Sequence, residues 1–175
     1  SRRHCPVRLA GYATEVGKPL HVIGNLPYYI TSQILLYLLD AHTHVREMVA
    51  MMQLEVAQRL VAEPRTKPYG ILSVLLQRYT TPELLFEVPR DVFNPKPDVE
   101  SAVVRLRFKD EIEGGDVVSH KLFKRVVKAS FNQRRKKLKN SLKSLLATVD
   151  GDIPEVWAGV RAEELTTSDF IALTR

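Results

Sequence analysis

The sequence has 175 residues, 45% of them hydrophobic, with a net charge of +6. That is enough apolar chain for one domain, or one domain with a small appendage, and it argues against disorder. No apolar run approaches the roughly 20 residues that cross a bilayer, and a lone cysteine, Cys5, excludes an internal disulfide framework. One cysteine also fits a reducing compartment. The chain opens on Ser1 without a signal-peptide pattern, which suggests a processed chain or a piece of a longer one.

Residues 1–18 show no clear period and read as irregular. Leu20 to Ile23 reads as a short buried strand that ends at Gly24-Asn25, with Pro27 just beyond. Thr31 or Ser32 caps a helix that runs to about Asp40. Glu47 to Met52 reads as a second buried strand. Leu54, Val56, Ala57, Leu60 and Val61 then recur at helical spacing. Pro64, Pro68 and Gly70 mark a loop, and Ile71 to Tyr79 forms a third helix. Glu83 to Val88 is a strand, Asp91 to Asp98 a rigid loop around Pro95 and Pro97, and Val99 to Phe108 a strand. In that last strand Ala102, Val104, Leu106 and Phe108 alternate with Val103, Arg105 and Arg107.

The order predicts an α/β fold. Its first part reads as βαβ units on a mostly parallel sheet, and its last two strands pair antiparallel. Gly114-Gly115 reads as a linker, and everything beyond it as helical. Leu122, Phe123, Val126, Val127 and Phe131 share one face; Leu138, Leu142, Leu145 and Leu146 share another. The domain boundary is expected between 110 and 118, dividing the chain into residues 1–112 and 113–175. Arg161 to Ile171 reads as a terminal capping helix, with Trp157 as a packing residue.

Charge placement says more than charge total. Residues 121–143 hold ten Lys and Arg with no Asp or Glu, so the remaining residues carry −4. A local patch of this kind points to a polyanionic partner. For the run 134–139 the alternative is a solvated helix face. Glu55 and Arg59, four apart on a helix, read as an ion pair. The five histidines show no metal-ligand spacing with Cys5 or a carboxylate cluster, so no metal is expected.

The tetrad Asn25-Leu26-Pro27-Tyr28 follows a strand directly. It is either a plain turn or a device for one chemistry. An exocyclic adenine amine is a poor nucleophile, because its lone pair is delocalised into the ring. A side-chain amide oxygen on Asn25 and the carbonyl of Leu26 would accept its N–H hydrogens and turn the lone pair outward. Pro27 stiffens the turn and Tyr28 offers a ring for stacking. The carboxyl end of a strand is where α/β sites lie. Phe93, in Phe93-Asn94-Pro95-Lys96-Pro97, either plugs the core or forms the opposite wall of a base slot.

These stretches resemble the rRNA adenine N6-dimethyltransferase family. VIGNLPYYITSQILLYL (22–38) is similar to its fourth methyltransferase motif, and QLEVAQRL (53–60) to its next helix. YGILSV (69–74) with Gln77, FNPKPDVESAVVRL (93–106) and FNQRRKKL (131–138) with Asn140 and Leu142 follow in the family's order. The resemblance covers about residues 19 to 143. Single motifs are modest; the ordered set is specific.

The resemblance implies a Rossmann-like class I methyltransferase, here the C-terminal part of its sheet, plus a small all-α C-terminal domain that helps grip RNA. It implies S-adenosyl-L-methionine as methyl donor, with Asn25 near both cofactor and target base. The implied reaction is dimethylation of the N6 amines of two adjacent adenosines near the 3′ end of small-subunit rRNA. The implied partner is that rRNA, or a pre-30S-type particle, met by a cytoplasmic or organellar monomer without membrane attachment. The RNA-binding residues are then Arg134, Arg135, Lys136, Lys137 and Lys139. The family's glycine-rich cofactor loop has no match in residues 1–18, because Gly11 and Gly17 are too far apart. The chain by itself is therefore expected to be inactive. The competing reading is a non-catalytic relative, a ribosome-assembly or mitochondrial transcription factor on the same fold. An intact set of Asn25, Tyr28 and Phe93 favours chemistry.

Overall fold

The computed structural model describes residues 5–115, 118–149 and 151–175, with the backbone alone for residues 5–8. Two compact units emerge. One combines residues up to Val61 with Tyr79–Asp110; the other combines Ala62–Arg78 with Glu111–Arg175.

The first unit is built on a four-stranded sheet. Its elements are α1 (Cys5–Val16), β1 (Leu20–Asn25), α2 (Thr31–Asp40), β2 (Val45–Gln53), α3 (Leu54–Val61), β3 (Thr80–Val88) and β4 (Ser101–Phe108). The strand order is β1-β2-β4-β3. β1 and β2 run parallel, while β4 lies antiparallel to both β2 and β3. The antiparallel pairing of the last two strands agrees with the sequence expectation.

Residues 5–16 correct the reading of an irregular amino-terminal stretch. They form a helix that packs against α2 and β1. Pro6 lies in its first turn, where the missing N–H is not needed. Gly17 follows its end at φ +71°, a region that strongly favours glycine. The helix escaped notice because Gly11 interrupts its apolar stripe.

β1 is not the buried strand expected. Its residues alternate between half-buried and exposed, and Ile23 is 84% exposed. β2 buries one face: Met48, Ala50 and Met52 point into the core, while Glu47, Val49, Met51 and Gln53 are half-buried. β4 follows its predicted alternation, with Ala102, Val104, Leu106 and Phe108 buried. α3 covers β2, β3 and β4 with Val56, Ala57 and Leu60. Opposite charges meet across the strands, as register predicts: Arg105 lies 3.0 Å from Glu83, and Arg107 lies 3.5 Å from Glu47. The Glu55–Arg59 ion pair forms as expected.

The second unit is helical, though less continuously than expected. It holds the Ile71–Arg78 part of α4 (Ile71–Tyr79), then α5 (His120–Asn132), α6 (Leu138–Ser141), α7 (Lys143–Leu146), α8 (Glu155–Ala158) and α9 (Thr167–Thr174). α5 starts on Ser119, whose hydroxyl accepts the Leu122 N–H, and buries Phe123, Val126 and Val127. The Arg78 guanidinium lies 4.4 Å above the Phe123 ring and donates to the Val118 carbonyl at 3.0 Å. Leu138 and Leu142 are buried, but Leu145 and Leu146 only half so.

Gly114-Gly115 forms a turn rather than a loose linker. Gly114 sits at φ +81°, and a Cβ there would stand 2.7 Å from Ile171. The terminal helix starts later than the sequence suggested. Thr166 and Asp169 form a reciprocal capping box that starts α9 at Thr167, leaving Ala162–Glu164 as a separate 3-10 turn.

Tyr69 ties this unit together. Its hydroxyl donates to the Leu165 carbonyl at 2.7 Å, and its ring meets Phe131 edge-on. Burial pushes the hydroxyl's pKa up to about 12 from an ordinary 10. The fold therefore favours neutral tyrosine. That stabilisation is complete below pH 10 and is lost as pH rises through about 12. Denaturation midpoints are expected to fall across this window, and Tyr69→Phe to flatten the fall. An unchanged slope in the variant would assign alkaline sensitivity to other groups.

Candidate active site

Asn25 is the last residue of β1, where the sequence placed the end of the strand. The ladder continues one bond further, as the Leu26 N–H donates to the Met51 carbonyl at 3.0 Å. Pro27 then turns the chain (φ −60°, ψ 126°) into a 3-10 turn, Tyr28–Ile30. The Pro27 carbonyl accepts from the Ile30 N–H at 3.2 Å and the Thr31 hydroxyl at 2.9 Å. These bonds explain why the tetrad is rigid: a strand holds one end and a helix start holds the other.

The second wall comes from the loop between β3 and β4. A 3-10 turn at Arg90–Val92 leads to Phe93, which is half-buried, and the Asn94–Pro95 peptide is cis. Glu100 closes the loop by accepting the Arg90 N–H at 2.6 Å. Lys96 pairs with Asp91 within it.

Asn25, Leu26, Pro27, Tyr28 and Phe93 all line one cavity of about 360 Å³, together with Met51, Pro95 and Pro97. The volume falls within the range of small-molecule sites. Every residue expected at the base slot is thus brought together. Met51 was missed; its place follows from its register opposite Asn25 across β1 and β2. The lining carries no charged side chain, so it suits a neutral aromatic ring better than a phosphate. The Asn25 side-chain amide is exposed and makes no hydrogen bond among the described residues, so its polar atoms stay available. Both Tyr28 and Phe93 offer ring surface to the same space.

Donor-side features are sparser. Gly11 lies inside α1 and Gly17 ends it, so neither belongs to a phosphate- or ribose-binding loop. Asn25, at the open carboxyl end of β1, is the described polar group that fits a methyl donor brought to the cavity. Among the described residues no His, Cys, Asp and Glu group could hold a metal, and no helix is long and apolar enough to cross a membrane.

Of the five cations expected to bind RNA, Arg134, Arg135, Lys136 and Lys137 lie in a loop and Lys139 lies on α6. α5 ends at Asn132, and residues 133–137 form the turn into α6. Arg134 is already engaged: it donates to Glu163 at 2.7 Å and to the Thr66 carbonyl at 3.3 Å. Arg135, Lys136, Lys137 and Lys139 are exposed and form no ion pair among the described residues.

The family model described as ribosomal RNA adenine dimethylase matches residues 8–173. The ribosomal RNA small subunit methyltransferase A of Salinibacter ruber is 51% identical over 166 residues, covering 95% of this chain and 56% of its own length. The protein of the same description from Thiobacillus denitrificans is 45% identical, covering 91% and 62%. The chain thus spans little more than half the length of these relatives. Among solved structures, a dimethyladenosine transferase from Plasmodium falciparum superposes with a TM-score of 0.73 at 22% identity, covering 87% of this chain and 64% of that one. The 23S rRNA methyltransferase ErmE superposes with a TM-score of 0.55 at 26% identity, covering 89% and 65%. The fold is that of the methyltransferase sheet's C-terminal part.

Proposed function

Because this chain belongs to the ribosomal RNA adenine dimethylase family, we propose that it forms the base-binding part of an S-adenosylmethionine-dependent rRNA adenine N6-dimethyltransferase. The substrate is a pair of adjacent adenosines near the 3′ end of small-subunit rRNA, modified during ribosome biogenesis in the cytoplasm. The carrying observation is the convergence of Asn25, Leu26, Pro27, Tyr28 and Phe93 on one uncharged cavity. Supporting it, the relatives at 51% and 45% identity are described as small-subunit methyltransferases.

The residues act as follows. An adenine leaves its stack and enters between Tyr28 and Phe93, where ring contact offsets lost stacking. The Asn25 amide oxygen and the Leu26 carbonyl accept the two N6 hydrogens. This draws the amine out of conjugation and directs its lone pair at the incoming methyl carbon. The Pro27 carbonyl takes no part, as Ile30 and Thr31 already occupy it. S-Adenosylmethionine supplies an electrophilic methyl group when bound. Asn25 needs no basic partner, because the amine becomes strongly acidic once methylated and releases its proton to water. The sequence boundary at 112 shifts by the loop and helix of Ala62–Arg78, which belong with the helical unit. The sheet-bearing unit serves as catalytic domain and the helical unit as the RNA-gripping domain, with Arg135, Lys136, Lys137 and Lys139 as the exposed cations and Arg134 shared with Glu163.

The test is methyl transfer by the full-length protein to small-subunit particles that lack the modification. Mass spectrometry of the rRNA 3′ fragment should find two N6,N6-dimethyladenosines. Methylation of large-subunit RNA alone, or none with intact binding, would overturn the assignment.

A further inference from the structure

We infer that Ser101 is a positioning residue for Tyr28, fixing the ring that forms one wall of the cavity. The inference rests on the reading of that cavity as a base slot. The Tyr28 hydroxyl lies 2.5 Å from the Ser101 Oγ, although the two residues stand 73 positions apart. Ser101 is wholly buried and begins β4. It pairs with Gln53 in β2 on one side and Val88 in β3 on the other. Its hydroxyl therefore starts from a backbone held from both sides and swings about a single torsion.

Tyr28 is in the opposite situation. It lies on a three-residue turn without buried residues, and its ring moves about two torsions. A hydrogen bond at the far end of the ring restrains both. A buried serine hydroxyl and a half-buried tyrosine hydroxyl stabilise little beyond satisfying each other; a phenyl ring against a methyl group would avoid their desolvation. What the pair adds is direction. Ser101 also ends the Phe93 loop, since Glu100 just before it accepts the Leu54 N–H at 3.0 Å. One residue thus anchors the Tyr28 wall and terminates the loop that bears the Phe93 wall.

The experiment compares Ser101→Ala, Tyr28→Phe, the double variant and Asn25→Ala in the full-length protein. Turnover, KM for RNA, melting temperature and quenching of 2-aminopurine placed at the target adenosine are read for each. Both single variants should lose about three- to tenfold in kcat with KM unchanged, since each removes the same bond. The double variant should match either single, and 2-aminopurine should be quenched less in all three. Additive losses, or a lower melting temperature with normal turnover and quenching, would overturn the positioning role. If Ser101→Ala does not fold, Tyr28→Phe removes the same bond and normal turnover there is equally fatal. Near-normal turnover in Asn25→Ala would instead refute the base slot itself.

Discussion

Asn25→Ala in the full-length protein is expected to slow methyl transfer by about 30- to 1000-fold while RNA affinity persists. The range corresponds to about 2–4 kcal/mol, the usual loss when a preorganised polar contact at a reacting centre is removed. The amide oxygen has no internal partner among the described residues, so its truncation leaves no buried group unsatisfied. The side chain is exposed, and the adjoining ladder uses only backbone atoms, as in the Leu26–Met51 bond. Stability should therefore change by no more than about 0.5 kcal/mol. Single-turnover methyl incorporation, beside a binding titration and a melting curve, separates these quantities. Near-normal turnover would remove Asn25 from the mechanism. A collapse of RNA affinity would assign it to binding instead.

The base slot was legible because its chemistry is local. Asn25 through Tyr28 follow a strand at once, and Phe93 sits in a loop framed by prolines. What sequence did not reveal depends on register and on contacts between distant residues. Met51 reaches the cavity because β1 and β2 pair Asn25 with Met51. Ser101 reaches Tyr28 because β4 inserts between β2 and β3. Neither follows from neighbouring residues. β1 misled for another reason: an apolar run suggests cover on both faces of a parallel strand, yet Ile23 faces outward. α1 carried end signals in Pro6 and Gly17, but the lack of a clear apolar period between them hid the helix. The basic run misled likewise, since spacing alone does not show where α5 stops. The chain leaves the helix at Gln133, and the Leu138 N–H bonds to the Val160 carbonyl at 2.8 Å.

That loop sets the second large effect. Replacing Arg135, Lys136, Lys137 and Lys139 together by Gln is expected to weaken RNA binding and flatten its salt dependence. Each phosphate neutralised by a cation releases bound counterions, so each lost contact reduces the logarithmic salt slope by about 0.7 to 0.9. Four exposed cations set the upper limit, and some will remain solvated along their aliphatic stems. A slope shallower by about two units is therefore expected. Arg134 is best left in place. Its ion pair with Glu163 and bond to the Thr66 carbonyl join three segments of the helical unit, so removing it would confound binding with folding. Arg134→Gln is the internal control: a drop in melting temperature larger than that of the fourfold variant marks it as structural. The fourfold variant should fold normally, because Leu138 and Leu142, which seat α6, are untouched. Salt titrations of RNA binding for parent and variant settle the matter. Parallel slopes would mean that the loop is merely solvated, and the RNA contact would then belong to the cations of α5, among them exposed Lys121 and Lys128.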